Sequence, residues 1–234
     1  MTRTALVFGL IASLLTGSGV ASAQTSPVVV ELFTSQGCSS CPPADAYLAE
    51  LAGRDDVLPL ALHVDYWDRL GWADTFAHKA FTERQYAYGQ SFGNRSVWTP
   101  QFVVQGRQFS KGNFRDMVDS YIAKQRRRKS PVTLDVAFDG KTIAIDARRV
   151  GRTSQTLAVI VAHYIPKQDV AIKRGENAGL TASYHNVVKS WTIVDMWSEG
   201  DQVRLNVPDE YGRPFVVLVQ EHGPGAVVAA ANIR

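Results

Sequence analysis

An α/β unit followed by an all-β region is what this 234-residue sequence predicts, on three observations. Between Pro27 and Arg127, compact runs rich in β-branched residues alternate with segments of helical spacing. Both cysteines, Cys38 and Cys41, fall where the first such run gives way to a helix. From Ser130 onward, short and often alternating runs follow one another between turn residues, a spacing that suggests an all-β, sandwich-like region.

The elements follow in order. A basic start at Arg3, an apolar stretch from Ala5 to Leu15 and the ending Ala21-Ser22-Ala23 describe a cleaved secretory signal over residues 1–23, with the mature chain beginning near Gln24. That stretch is shorter than the roughly 20 residues a membrane helix needs, and no later run is longer, so no stable membrane span is expected after cleavage. Periplasmic or secreted localisation follows. Pro27 to Phe33 (PVVVELF) reads as a buried strand ended by the Ser35-Gln36-Gly37 turn. Ala44 to Ala52 has helical spacing and Gly53 stops it, while Pro42 or Pro43 suits the first helical position. Pro42 also disfavours helical geometry at Cys41, which leaves Cys38 on a turn ahead of the helix.

Val57 to Val64 returns to strand. A segment rich in aromatics follows, with a helix expected from about Asp74 to Tyr88. Then WTPQFVVQGRQF supplies a Thr-Pro, a strand, a Gly-containing turn and a second strand. Asn113 is the expected cap of a last helix, Phe114 to about Arg127. The runs VTLDVAF, KTIAIDA, TLAVIVAHYI, WTIVDMW, DQVRLNV and PFVVLVQ make up the second region. Residues 24–129 and 130–234 are thus the two expected domains.

Composition narrows the functional classes. With 45% hydrophobic and 20% charged residues the chain can bury a sizeable core and is not disordered. Formal net charge is +3 and scattered, apart from Arg126 to Lys129. That run lacks an accompanying recognition motif and reads as a solvated helix end, so no nucleic-acid partner is expected.

The order strand, C-x-x-C, helix, strand, helix, x-Pro, two-stranded hairpin and helix is that of the thioredoxin fold. The words VVELFTSQGCSSCPPAD, ALHVDYWDRLGWAD, RQYAYG, WTPQFVV and KRGENAGLTASYHNVVKSW resemble a bacterial secreted thioredoxin-like family of unknown function. The resemblance spans nearly the whole mature chain. It implies a thioredoxin-like fold with a C-terminal β extension, and no particular activity.

In a redox dithiol Cys38 would be the exposed, thiolate-rich sulfur and Cys41 the resolving one. After export the pair is expected to spend time as a disulfide, with one pairing available. Ser39 and Ser40 are small donors beside the thiolate. Similarity to thioredoxins assigns Thr99-Pro100 as the cis-proline loop facing the dithiol, with Trp98 beside it, and Glu31 as a buried acid assisting Cys41. Glu31 sits one residue further from the first cysteine than that acid usually does, and a one-residue slip reverses the side of a strand. On an alternating strand His63, Asp65 and Trp67 share a face, which would put Asp65 and Trp67 in the groove near Cys38. The words RGENAG and YHN read as turn and strand, with Lys173, Arg174, Glu176 and His185 able to reach the first domain.

Three functions compete. The leading one is a thiol-disulfide oxidoreductase acting on protein or small-molecule disulfides, recycled by a redox partner and needing no cofactor beyond its own disulfide. The second is a copper-handling protein, the two thiolates joined by His63 or His78. A closed zinc site would need two distant histidines, as no H-x-x-x-H occurs. The third is a non-catalytic binding module with the cysteines as a local staple.

Overall fold

The computed structural model describes residues 26–153, 156–212 and 214–233. The expected signal segment, residues 1–23, lies outside the described residues. The described residues form an α/β structure of three helices and eleven strands in two sheets.

β1 (Val28–Thr34) is fully buried. It pairs in parallel with β2 (Val57–His63) and antiparallel with β3 (Gln101–Val104), which turns into β4 (Gln108–Lys111). The turn has positive φ at Gln105 (54°) and Gly106 (62°), the backbone of a tight hairpin connection. α1 (Pro42–Ala52) follows β1 and opens on its two prolines, as their missing N–H groups allow. Cys41 is its N-cap and holds helical geometry (φ −80°, ψ −35°), against the preference that Pro42 imposes. Its carbonyl accepts from the amides of Ala44 (2.8 Å) and Asp45 (3.0 Å), so the helix's first turn is made at the cysteine itself.

α2 (Lys79–Ser91) starts five residues later than the spacing predicts. Asp74 is occupied otherwise: its carboxylate accepts bonds from the backbone of Gln36 and Phe76, and a single 3-10 turn, Asp68–Leu70, precedes it. α3 (Arg115–Arg126) is capped at Phe114 with no side-chain bond, so Asn113 does not cap it.

β5 (Val132–Phe138), β6 (Thr142–Arg149) and β9 (Gln202–Pro208) form a separate three-stranded sheet. The remaining strands continue the sheet of β1–β4. β7 (Leu157–Ala171) and β8 (Thr181–Trp197) are a long hairpin, followed by β10 (Phe215–Glu221) and β11 (Val227–Ile233). The order is β11-β10-β7-β8-β2-β1-β3-β4. The expected domain border at residue 129/130 therefore divides the sequence without dividing the sheet. β2 and β8 meet at a single parallel pair, Ala61 with Val187. Pro59 on β2 has no N–H for a neighbour there, and its carbonyl is taken by the side-chain amide of Asn186 at 2.9 Å.

Three of the four hydrophobic clusters among the described residues follow from alternation along the strands. Val28, Val30 and Leu32 of β1 face α1 and α3, with Leu48, Phe102 and Ile122. Val29 and Phe33 face the other way, with Phe81 and Tyr88 of α2 and Val216 and Leu218 of β10. Phe215, Val217 and Val219 point instead at Ile143 and Ile145 of the three-stranded sheet. The large sheet curls enough for its far strand to return to the β3–β4 turn: the Val227 amide donates to the Gln105 carbonyl at 3.0 Å, and Gln105 Nε2 to the Val227 carbonyl at 2.7 Å. A Cβ on Gly106 would stand 2.1 Å from the Gly225 carbonyl oxygen. Among the described residues no helix is long and apolar enough to cross a membrane.

Candidate functional site: a buried disulfide and its polar floor

Cys38 and Cys41 are joined in a disulfide, with Cα atoms 5.4 Å apart. Cys38 sits on the turn between β1 and α1: its amide donates to Ser35 O, and its carbonyl accepts from Cys41 N, both at 3.1 Å. Both residues are 0% exposed, whereas the expected nucleophile needed an open Cys38. Ser39 and Ser40 between them are exposed.

Three segments enclose the pair. The first is the loop before β3, where the Thr99-Pro100 bond is cis. Ser40 Oγ lies 3.4 Å from Cys38 Sγ and donates to the Thr99 carbonyl at 3.4 Å. The second is the loop after β2. Trp67 Nε1 donates to Thr99 Oγ1 at 2.8 Å, and its Cβ packs so closely on Gly37 that a side chain there would come within 3.2 Å. The third segment, the β7–β8 loop, reaches in from the other half of the chain.

Beneath the pair is a buried polar floor. Thr34 Oγ1 donates to Asp45 Oδ1 at 2.8 Å. Burial pushes the Asp45 carboxyl up to about 7; His63 and the Thr34 bond pull against it, and Asp74 adds to it. His63 Nδ1 lies 2.8 Å from Asp74 Oδ2, which also accepts from Gln36 N at 2.7 Å. Burial alone would raise Asp74, but His63 and the hydrogen bonds from His63, Gln36 and Phe76 outweigh it and hold the carboxyl below its ordinary value. Among the described residues His63 Nε2 has no hydrogen-bond partner. Its ring is packed edge-on against Phe76 and Tyr184.

Other expected site residues are placed elsewhere. Glu31 is 0% exposed on the β1 face that meets α2. Its carboxylate accepts Arg84 Nε (2.6 Å), Arg84 Nη2 (2.9 Å) and the Tyr88 hydroxyl (2.7 Å), a clamp that leaves it no role at Cys41. The one-residue slip visible in the sequence is the reason. β2 ends at His63, so the strand alternation assumed for Asp65 stops short of it. Asp65 turns to α2 and accepts Thr82 Oγ1 at 2.6 Å. Trp98 packs on Phe109 and under Lys111 Nζ of β4, its carbonyl held by Gln85. Thr99, Pro100 and Trp67 remain beside the disulfide.

Gln36, Asp45, Asp74 and Asn177 lie within the words that carry the family resemblance, but the sequence assigned none of them a role at the site. Asp45 could have been found as an acid one helical turn after Cys41 among apolar neighbours; Asn177 lies 139 residues from Cys38 and carries no local signal. For a metal, His63 Nδ1 is committed to Asp74, and His78 caps α2 by accepting the Ala80 amide at 3.1 Å. Among the described residues no group of three or more His, Cys, Asp and Glu is arranged to hold an ion.

Comparison with known proteins adds a family. A crystal structure of a protein from Agrobacterium tumefaciens is similar at 35% identity and a TM-score of 0.76, over 91% of this chain and 96% of that one. HBP35 of Porphyromonas gingivalis shares the fold at 14% identity and a TM-score of 0.63, over 89% of this chain and 75% of that one. No curated protein matches. A family model described as "Protein of unknown function (DUF1223)" matches residues 29–220, and the chain belongs to that family.

Proposed function

We propose that the chain is an exported thiol-disulfide oxidoreductase, with residues 24–129 as a thioredoxin-like unit and residues 130–234 as its β extension. One observation carries this reading: the Cys38–Cys41 disulfide stands at the start of α1 directly beside the cis Thr99-Pro100 bond, with Ser40 Oγ reaching both. The element order β1, C-x-x-C, α1, β2, α2, Pro100, β3, β4, α3 supports it. The N-terminal sequence pattern supports export.

The exchange balances in two steps. A substrate thiolate attacks Cys38 Sγ, the Cys38–Cys41 bond breaks, and Cys41 leaves as a thiolate that takes a proton. A second substrate thiolate then attacks the substrate sulfur bonded to Cys38, which leaves as a thiolate, giving a substrate disulfide and the reduced pair; the protein has gained two electrons, and an oxidising redox partner accepts them to restore the Cys38–Cys41 bond. The reverse sequence reduces a substrate disulfide. Asp45 suits the proton step: it is buried one turn after Cys41 on the same helix, and a carboxyl titrating at about 7 trades a proton readily near neutral pH.

Purified mature protein should reduce insulin with a thiol reductant, or refold a reduced protein with a disulfide oxidant, faster than Cys38→Ser. Equal rates for the two would remove the redox reading.

A further inference from the structure

The β7–β8 loop is exposed from Lys173 to Glu176 and from Ala178 to Leu180, yet Asn177 in its middle is only 5% exposed. Its Nδ2 donates to the carbonyls of Gln36 at 3.0 Å and Cys38 at 2.9 Å. Beside it, Glu176 Oε2 accepts from Ser39 N at 3.3 Å. A buried side-chain amide is retained where its N–H groups are satisfied, and here both bonds go to the backbone that carries Cys38. Carboxylate or aliphatic side chains have no N–H to offer those two carbonyls.

The loop keeps its own shape. Ile172 N donates to Leu180 O and Gly179 N to Ile172 O, both at 2.9 Å, closing its neck. Gly175, at φ +77°, lies where a Cβ would stand 3.3 Å from Trp72 Cβ. Trp72 Nε1 in turn donates to Gln36 Oε1 at 2.9 Å. The loop, Trp72 and Gln36 are therefore one packed unit beside Cys38, and both cysteines are 0% exposed.

We infer that Asn177 and Glu176 determine the specificity of the cysteine site, favouring thiols carried on an extended polypeptide over small thiols, which react more slowly. This rests on Cys38 as the exchanging sulfur. Attack on Cys38 Sγ requires the loop to leave, which strips the carbonyls of Gln36 and Cys38 of their donor and Ser39 N of its acceptor. An extended chain presents backbone N–H and C=O groups to replace all three contacts. A thiol with no amide groups replaces none, so it meets the full cost of opening.

The test measures how fast the disulfide of the mature, oxidised protein is opened by dithiothreitol and by a reduced cysteine-containing peptide. In wild type the peptide thiolate should react faster than dithiothreitol. Asn177→Ala should accelerate dithiothreitol by about tenfold or more, the equivalent of one to two lost hydrogen bonds, while changing the peptide rate by less than about threefold. A merely structural role would shift both rates together. Glu176→Ala, on the exposed side, should move the same ratio by a smaller factor and keeps the test open should Asn177→Ala fail to fold. Unchanged dithiothreitol rates in the folded variants would overturn the inference and leave the oxidoreductase reading standing. Variants that open faster, but whose Cys38 accepts no peptide thiol, would overturn that reading and the substrate class with it.

Discussion

Asp45→Asn isolates the buried carboxyl beneath the disulfide. Burial holds Asp45 at about 7 in the folded chain against an ordinary 3.8, so between those pH values the folded state binds a proton that the unfolded state has released. The stability this contributes is complete below about pH 3.8 and is lost as pH rises through 7. At about 1.36 kcal/mol per unit over roughly three units, the loss amounts to about 4 kcal/mol. Asp74 works in the other direction and in another window: its lowered carboxyl stabilises the fold above its ordinary value, and that contribution disappears as pH falls below it. Asn at position 45 keeps an acceptor for Thr34 Oγ1 and never ionises. Urea denaturation at pH 5, 6, 7 and 8, with the disulfide intact, should show the wild type losing roughly 3 kcal/mol relative to the variant across the series. Parallel stability curves for the two proteins would refute a buried, proton-holding Asp45.

Further outcomes follow from other contacts. Glu31→Gln should cost about 3–5 kcal/mol in denaturant titrations, because it leaves Arg84 charged and without its carboxylate; the rate of thiol exchange of the folded fraction should not change. Reducing the disulfide should lower unfolding free energy by no more than about 2 kcal/mol, since the bond closes a very short loop, measured by denaturation with and without a phosphine reductant. Gly106→Ala should lower the thermal midpoint sharply, through both its positive φ and the 2.1 Å approach to the Gly225 carbonyl. Asp45→Asn should also flatten the pH dependence of exchange near neutrality, read from stopped-flow rates between pH 5 and 9.

Legibility in the sequence followed the range of the interaction. β1, the C-x-x-C turn, α1 opening on Pro42, the β3–β4 hairpin and the strands β5, β6 and β9 are set by local period and by Gly or Pro, and each is readable from a short window. The preference against helical geometry at Cys41 failed because the Cys41 carbonyl starts α1 by accepting two amides. The start of α2 was misplaced because the acid that looks like part of a helix is spent on Gln36, Phe76 and His63. β11, an alanine-rich run of low strand propensity, went unread. It is a strand because β10 pairs with it and the curled sheet offers Gln105 at its end. Long-range contacts also decide the site: strand alternation turns Glu31 away from Cys41, Arg84 on α2 supplies the partner that holds it there, and Asn177 becomes part of the cysteine site only once β8 joins β2.

Trapping the exchange intermediate bears on the whole reading. Mature Cys41→Ser, incubated with an activated peptide disulfide and digested, should yield a mixed disulfide mapped by mass spectrometry to Cys38. Cys38→Ser should yield far less adduct at Cys41. No adduct at Cys38 in folded Cys41→Ser, while the denatured variant is labelled, would contradict a thiol-exchange function.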